Sequence, residues 1–187
     1  MAYPRQKRLL IIQDISCIGR CSLTVALPVL SCLGVQAIPL PTALLSAHTA
    51  FKDVYRRDML EDMQGIAEAW KGMSLHFDAI YVGYLGGAHQ MPLVKEIVAR
   101  YKQPDTLLFV DPVMGDHGKK YSFVTQDMVE GFRALCQRAE VIFPNHTEAA
   151  LLLGVESQEG VGEENLLTSL ITSLSPAAVL TGAEKGE

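Results

Sequence analysis

Residues 9–13 read Leu-Leu-Ile-Ile-Gln, and the acidic residue Asp14 follows them directly. A short aliphatic run that stops at a charged residue is typical of a buried β-strand, because parallel strands covered on both faces carry apolar residues without alternation. Similar apolar runs return along the chain, and polar residues follow each of them. The predicted strands are Leu9–Gln13, Val35–Leu40, Asp78–Gly83, Thr106–Val110, Val141–Phe143 and Ala177–Leu180.

Segments with helical spacing separate these strands. Ser22 and Thr125 are predicted to cap two helices, and Gly34 and Gly154 to end two of them. The alternation predicts an α/β fold of three layers, with a mostly parallel sheet between helices on both faces, in a single domain over residues 1–187. The predicted helices are Ser22–Leu33, Arg57–Gly72, Met91–Lys102, Thr125–Arg138, Thr147–Leu153 and Glu163–Ser173, with loops at Thr42–Lys52 and Asp111–Tyr121.

The composition excludes several classes of protein. The 187 residues carry 16 Lys and Arg against 21 Asp and Glu, and this net charge of −5 argues against nucleic-acid binding, which depends on phosphate contacts. The uncharged stretch Cys21–Phe51 is long enough to cross a membrane, but Pro28, Gly34, Pro39 and Pro41 interrupt it. We therefore interpret it as a buried helix and a buried strand. The four cysteines lack C-x-x-C spacing, which favours free thiols in the cytoplasm.

The polar residues that follow the strands are the candidate functional residues. In open parallel sheets, ligands bind beyond the carboxyl ends of the strands. Asp111, Asn145 and Glu148 offer oxygen atoms that suit Mg²⁺, which usually bridges to phosphates. Two simpler interpretations remain: Asp111 before Pro112 is also a common turn residue, and Asn145 with Glu148 is also a common start of a helix.

Two aromatic residues lie at predicted strand ends. Tyr84 stands between Gly83 and Gly86, which permit close backbone approach, and its ring is predicted to face an aromatic ligand. His48 lies in an uncharged stretch, where a purely structural histidine is the more common case. The other histidines and the charged run Lys52–Asp62 are interpreted as solvated surface.

Three motifs occur in a fixed order: Gly-Tyr-Leu-Gly at 83–86, Asp-Pro-Val-Met-Gly-Asp at 111–116 and Pro-Asn-His-Thr-Glu at 144–148. Together with residues 19–49 (GRCSLTVALPVLSCLGVQAIPLPTALLSAHT), they resemble the pyridoxal and pyridoxamine kinases of the ribokinase-like superfamily. The bacterial pyridoxamine kinase group is the most similar, and hydroxymethylpyrimidine kinases are more distant. The similarity extends to Thr181.

This resemblance implies phosphorylation of the 5′-hydroxyl of pyridoxal, pyridoxamine or pyridoxine by ATP with Mg²⁺, in a cytoplasmic homodimer without nucleic-acid or membrane partners. It implies the following site residues. Substrate contacts would come from Asp14, Thr42, His48 and Tyr84, ATP contacts from Asp111, Asp116, Tyr121, Asn145, Glu148 and Thr181, and metal contacts from Asp111 and Glu148.

Two positions depart from the family pattern. Asp14 stands where many members have a serine that touches the pyridine ring, and Phe143 stands where relatives often have threonine. We hypothesise that the Asp14 carboxylate pairs with a pyridinium nitrogen or with the amine of pyridoxamine.

The family's Gly-x-Gly-Asp motif, which supplies the catalytic base and an anion hole, does not occur in the chain. The base is therefore expected beyond Glu187, and the chain is expected to be the N-terminal two-thirds of a kinase, inactive alone and with apolar helix faces exposed. Two alternatives stay open: a non-catalytic fragment that binds B6 vitamers, and a hydroxymethylpyrimidine kinase.

Overall fold

The computed structural model describes residues 5–155 and 162–182. The chain divides into two compact units, Met1–Leu107 and Leu108–Glu187. The first unit contains four strands in the order β3-β2-β1-β4. Strand β1 pairs in parallel with β2 and β4, and β3 is antiparallel to β2. Its elements are β1 Arg8–Ser16, α1 Leu23–Cys32, β2 Gln36–Leu45, β3 Arg56–Asp58, α2 Leu60–Lys71, β4 Ala79–Val82, a 3₁₀ turn Ala88–Gln90 and α3 Met91–Tyr101.

The second unit is built around α4 and α5. Strands β5 and β8 pair in parallel, and β6 and β7 form a small antiparallel hairpin. Its elements are β5 Leu107–Val110, β6 Gly115–Asp116, β7 Lys119–Lys120, α4 Gln126–Cys136, β8 Val141–Ile142, α5 His146–Leu153 and α6 Glu163–Ser173. The mostly parallel α/β class predicted from the sequence is therefore confirmed.

Several predicted boundaries were wrong, each for a local reason. Strand β2 runs through Pro39 and Pro41 to Leu45, because β3 pairs only with Ala43–Leu45 and no described strand covers the outer edge at the prolines. The start of the predicted helix at Arg57 is strand β3, and α2 begins at Leu60.

Two other elements also differ from prediction. The predicted loop Asp111–Tyr121 contains the β6–β7 hairpin. The predicted strand Ala177–Leu180 is reduced to isolated parallel bridges, Ile142 with Ala178 and Asn145 with Thr181.

Helix α1 begins after Ser22 as predicted, but the Ser22 side chain makes no capping hydrogen bond, because its backbone has a positive φ of 56°. The interpretation of α1 as a buried helix was also wrong. Only Leu23 is fully buried, whereas Val29 is 51% and Leu33 is 70% exposed. Helix α1 therefore carries an exposed apolar face. Within the described residues, no helix is long and apolar enough to cross a membrane.

Gly34 ends α1 in the left-handed conformation, with φ at 74°. The Gly34 N–H donates to Ser31 and the Val35 N–H to Leu30, which is the pattern of a Schellman motif. The conformation therefore depends on the absence of a Cβ atom.

Gly34→Ala should lower the free energy of unfolding by about 1 kcal/mol, because the left-handed conformation is costly for alanine. No atom lies within 4 Å of a Cβ placed there, so backbone strain is the sole cause. Gly65, inside α2, has equally open surroundings, and Gly65→Ala should raise stability by about 0.5–1 kcal/mol. Urea unfolding of both variants checks this, and equal signs would contradict it.

Candidate functional site

A register shift in the first unit lies at Asp14. Strand β1 pairs with β2 from Arg8 to Gln13, but Ile15 pairs with Leu44, so two residues of β2 oppose Asp14. Such a bulge bends the strand and redirects nearby side chains. The first candidate residue therefore stands at a point where the sheet is irregular.

The Asp14 carboxylate is buried, with 3% of the residue exposed. The Ser16 hydroxyl donates to Asp14 Oδ2 at 2.8 Å. Among the described residues, no hydrogen-bond donor reaches Asp14 Oδ1, although this oxygen is also buried. A buried carboxylate oxygen without a donor is costly, so Oδ1 is suited to receive a donor from a ligand.

Tyr84 follows β4 and is buried, with 7% exposed. The Arg56 guanidinium lies over its ring, with Cζ 5.7 Å from the ring centroid, and donates a hydrogen bond to the Gly86 carbonyl. Burial raises the pKa of Tyr84; the Arg56 cation opposes this shift, and the Asp14 and Asp58 carboxylates add to it. The phenol therefore stays protonated at neutral pH and is surrounded by charges of both signs.

Gln90 holds the turn after β4 in place. Its side chain is fully buried and accepts from Gly86 N–H at 2.8 Å, while its amide donates to the Thr42 carbonyl at 2.8 Å and to Asp58 Oδ2 at 3.1 Å. The Thr42 hydroxyl donates to the Tyr84 carbonyl at 2.7 Å. This network joins β2, β3 and the turn that carries Tyr84.

Asp58 closes the same network at the edge strand. Its Oδ2 lies 2.8 Å from His89 Nε2, and its Oδ1 accepts from Leu60 N–H. Burial alone would raise the pKa of Asp58, but the bonds from Leu60, His89 and Gln90 outweigh it and lower the pKa. Arg56 and Asp58 are exposed, as the interpretation of Lys52–Asp62 as a solvated face predicts, but their side chains also bind Gly86, His89 and Gln90.

The predicted substrate residues Thr42 and His48 take different positions. Thr42 is fully buried, and its hydroxyl is engaged with the backbone of Tyr84. His48 is exposed, and its Nδ1 accepts from the Ala50 N–H at 3.2 Å. Its backbone N–H donates to Ile18, and a Cβ on Gly19 would lie 2.6 Å from the His48 Cβ. The loops after β1 and β2 are thus in direct contact.

In the second unit, Asn145 and Glu148 form a capping box at the start of α5. Asn145 Oδ1 accepts from the Glu148 N–H at 2.9 Å, and Glu148 Oε2 accepts from the Asn145 N–H at 2.8 Å. The helix-capping interpretation is confirmed. Glu148 does more, because its Oε1 accepts from the Met114 N–H at 3.0 Å and so ties the 111–118 loop to the helix.

The electrostatics of this unit follow from burial. Glu148 is 4% exposed, and burial raises its pKa to about 8. The Asp111 carboxylate also raises this pKa, whereas the hydrogen bonds from the backbone of Asn145, Met114 and Gly115 lower it. Burial also raises the pKa of Cys136 to about 12, helped by the charges of Glu148 and Asp111. Cys136 is therefore an inert core thiol.

The β6–β7 hairpin packs on the beginning of α5. Asn145 Nδ2 donates to the Gly115 carbonyl at 2.8 Å, and the Gly118 N–H donates to Thr147 Oγ1 at 2.8 Å. A Cβ on Gly115 would lie 2.5 Å from the Lys119 carbonyl, so only glycine fits there. The start of α5 thus fixes the hairpin from both sides.

The remaining predicted ATP residues lie on or beside these elements. Asp116 is exposed on β6, and its Oδ1 accepts from the His117 N–H. Tyr121 follows β7 and stacks on Phe123, with centroids 5.9 Å apart. Thr181 is exposed and donates its N–H to the Pro144 carbonyl at 2.9 Å, which places it beside Asn145.

The metal prediction has limited support in the geometry. Within the described parts of the chain, no three His, Cys, Asp or Glu side chains are grouped to hold a metal ion. Both oxygens of Glu148 already accept backbone N–H groups. Direct ligation of a metal ion by Glu148 would compete with those bonds.

An apolar cavity of about 360 Å³ also lies in the first unit, between α1 and strands β1 and β4. Leu9, Ile11 and Tyr81 line it from the strands, and Val25 and Val29 from the helix. This lining offers little polar chemistry, unlike the Asp14 and Tyr84 region.

Residues 27–187 match the family model described as phosphomethylpyrimidine kinase. The chain belongs to this family. It is 33% identical over 151 residues to a pyridoxine/pyridoxal/pyridoxamine kinase from Bordetella avium, a match that covers 74% of this chain and 48% of the relative. The chain thus spans about half the length of the curated relatives it matches.

Two solved structures are similar over nearly the whole chain. One is a Bacteroides thetaiotaomicron protein in a crystal form with pyridoxal, with 37% identity, a TM-score of 0.90, and 96% of this chain and 64% of that one covered. The other is pyridoxal kinase from Leishmania donovani in complex with ADP and pyridoxamine, with 25% identity, a TM-score of 0.84, and 97% and 64% covered. The pyridoxal-kinase resemblance predicted from the sequence is confirmed.

Sequence reasoning missed Arg56, Asp58 and Gln90. Arg56 and Asp58 lie in a charged run that resembles ordinary surface, and Gln90 follows the Gly-rich turn without a recognisable spacing. The available signal was that all three residues lie close in sequence to loops already suspected of binding ligands.

Proposed function

We propose that this chain provides the substrate side and part of the nucleotide side of a kinase that phosphorylates the 5′-hydroxyl of pyridoxal, pyridoxamine or pyridoxine with ATP, in vitamin B6 salvage. One observation carries the proposal: a buried carboxylate with an open oxygen lies in the electrostatic surroundings of a buried tyrosine. An aromatic ligand with a polar ring atom fits such a pair.

The second unit supports the nucleotide part of the proposal. The positive end of the α5 helix dipole lies at its N-terminus, and Asn145 and Thr147 fix a glycine-containing hairpin beside this end. Asp116, Tyr121 and Thr181 would contact ATP from this hairpin and from the bridge beside Asn145. The ADP complex of the Leishmania kinase gives this part independent support.

Mg²⁺ belongs to the same proposal, since phosphoryl transfer depends on neutralising phosphate charge. Asp111 would hold the ion directly, and Glu148 would act through water while it positions the 111–118 loop. The cytoplasmic location and the homodimer implied by the family resemblance remain proposals as well. Free thiols at Cys17, Cys21, Cys32 and Cys136 support a reducing compartment.

Calorimetric titration of the chain with pyridoxal, pyridoxamine, pyridoxine and hydroxymethylpyrimidine tests the proposal. We expect binding of the three vitamers, and weaker or no binding of the pyrimidine. Binding of the pyrimidine alone would instead support the second candidate function, hydroxymethylpyrimidine kinase, which the description of the matching family favours. A failure to bind any of the four would contradict both.

Turnover is measured separately with Mg·ATP. The Gly-x-Gly-Asp motif does not occur in the sequence, so the chain alone should give no phosphorylated vitamer above the blank. Binding without turnover would agree with two interpretations: a portion of a kinase, or a non-catalytic fragment that binds vitamers. Adding a chain that carries the Gly-x-Gly-Asp motif separates them, because only a portion of a kinase should then gain turnover. Turnover by the chain itself would show that the Gly-x-Gly-Asp motif is not needed for the reaction.

A further inference from the structure

The Asp14 carboxylate has one satisfied and one unsatisfied oxygen. Ser16 supplies a hydrogen bond to Oδ2, while the buried Oδ1 accepts from no described residue. Water or a ligand must supply a donor there, because a buried carboxylate oxygen without a hydrogen bond is costly. The open oxygen therefore selects for a ligand with a strong, preferably cationic, N–H group.

The side chain of Tyr84 interacts electrostatically with both Asp14 and Arg56. The carboxylate raises the pKa of the phenol and the guanidinium lowers it, so both charges act on the same ring. The guanidinium lies over this ring, held by its bond to the Gly86 carbonyl. A guanidinium carries five N–H donors in a planar fork, so it can serve this carbonyl and an anionic ligand together.

The B6 vitamers carry a ring nitrogen and an acidic ring hydroxyl, and they exist as two tautomers. In the zwitterion the nitrogen is protonated and the hydroxyl has become a 3-oxide, whereas in the other tautomer both groups are neutral. A site of low polarity would favour the neutral tautomer, since separated charges are poorly solvated there. Binding of the zwitterion requires a carboxylate for the N–H and a cation for the oxide.

We propose that this site binds its substrate as the 3-oxidopyridinium zwitterion, with the pyridinium N–H donating to Asp14 Oδ1 and the 3-oxide facing the Arg56 guanidinium. The inference rests on the proposed function, and it narrows the substrate class to 3-hydroxypyridines. Hydroxymethylpyrimidine has no ring hydroxyl and cannot form this zwitterion. Arg56 thereby becomes a specificity residue that selects the charged tautomer.

The near-ultraviolet spectrum of bound pyridoxine tests this directly, because the zwitterion absorbs at longer wavelength than the neutral tautomer. With the unmodified chain in excess, bound pyridoxine should show the zwitterion band. Asp14→Asn should raise the Kd for pyridoxine by about 10- to 100-fold, the range of a charge-assisted hydrogen bond. Both Asp14→Asn and Arg56→Gln should shift the remaining bound ligand toward the neutral tautomer.

Asp105→Asn is the matched control, since it makes the same chemical change at an exposed position of the first unit and should alter neither quantity. A neutral-tautomer spectrum with the unmodified chain would overturn the inference while leaving the proposed function intact. An Asp14→Asn variant with unchanged Kd would overturn it in the same way. Should no vitamer bind at all, the proposed function itself falls. If a variant fails to fold, the spectrum of pyridoxine bound to the unmodified chain still shows which tautomer the site binds.

Discussion

Replacing Glu148 with glutamine should remove the part of the pH dependence of stability that Glu148 causes between about pH 4.5 and pH 8. Burial raises the pKa of Glu148 from 4.5 to about 8, so the folded chain binds a proton across this interval that the unfolded chain has lost. The contribution of Glu148 to stability is thus complete below pH 4.5 and is lost as the pH rises through about 8. A shift of this size corresponds to several kcal/mol at most.

Glutamine cannot ionise, so Glu148→Gln removes this dependence. It also has only one acceptor oxygen for the N–H groups of Asn145 and Met114, and its stability at pH 5 should fall by about 1–3 kcal/mol. Glu148→Ala should cost about 2–4 kcal/mol, because the capping box and the tie to the loop are lost together.

Urea unfolding at pH 5 and pH 8 measures these effects. Glu130→Gln, an exposed substitution on α4, provides the control and should keep the pH dependence of the unmodified chain. If Glu148→Gln and the unmodified chain lost stability in parallel between the two pH values, another group would be responsible.

Gln90→Ala should lower the free energy of unfolding by about 2–4 kcal/mol and also weaken vitamer binding. The truncation removes a fully buried side chain and leaves the Gly86 N–H without its partner, while the Thr42 carbonyl keeps only the bond from the Met59 N–H. Binding should weaken because the turn that carries Tyr84 is then held to β2 by the Thr42 hydroxyl without the help of Gln90.

Gln90→Glu is the sharper variant. It keeps an acceptor for the Gly86 N–H, but it removes the donor to Thr42 and places a second carboxylate beside Asp58. This variant should be least stable at neutral pH and recover as the pH falls, because protonation restores a donor. Gln64→Ala, at an exposed position of α2, is the control and should change stability by less than about 0.5 kcal/mol. If the Gln90 variants lost no more stability than Gln64→Ala, the hydrogen-bond network around Gln90 would contribute little to the free energy of unfolding.

The fold class was predictable because it depends on local patterns. The apolar runs without alternation lie where the structure places β1, β4 and β5, and the segments between them form helices. Helix α6 coincides with its predicted range Glu163–Ser173. Strand β2 was predicted too short because proline was treated as a strand breaker. The structure shows the reason: Pro39 and Pro41 lie where no described strand covers the edge.

The candidate site was predictable only in part. Asp14 and Tyr84 were selected as candidates because each directly follows an apolar run, and the capping role of Asn145 and Glu148 follows from their spacing. Thr42 was assigned to substrate binding, yet its hydroxyl is engaged with the Tyr84 backbone. The part played by Gln90 could not be found, since its partners come from β2, β3 and a glycine four residues away.

The sequence by itself determined which residues are apolar, where helices start and stop, and which polar groups follow the strands, because these depend on neighbours along the chain. Only the tertiary structure decided which polar groups meet. The bulge opposite Asp14, the cation over Tyr84 and the burial of Glu148 all arise from contacts between residues distant in sequence. Desolvation and charge proximity set the chemistry of a carboxylate, and both are properties of the folded surroundings rather than of the residue.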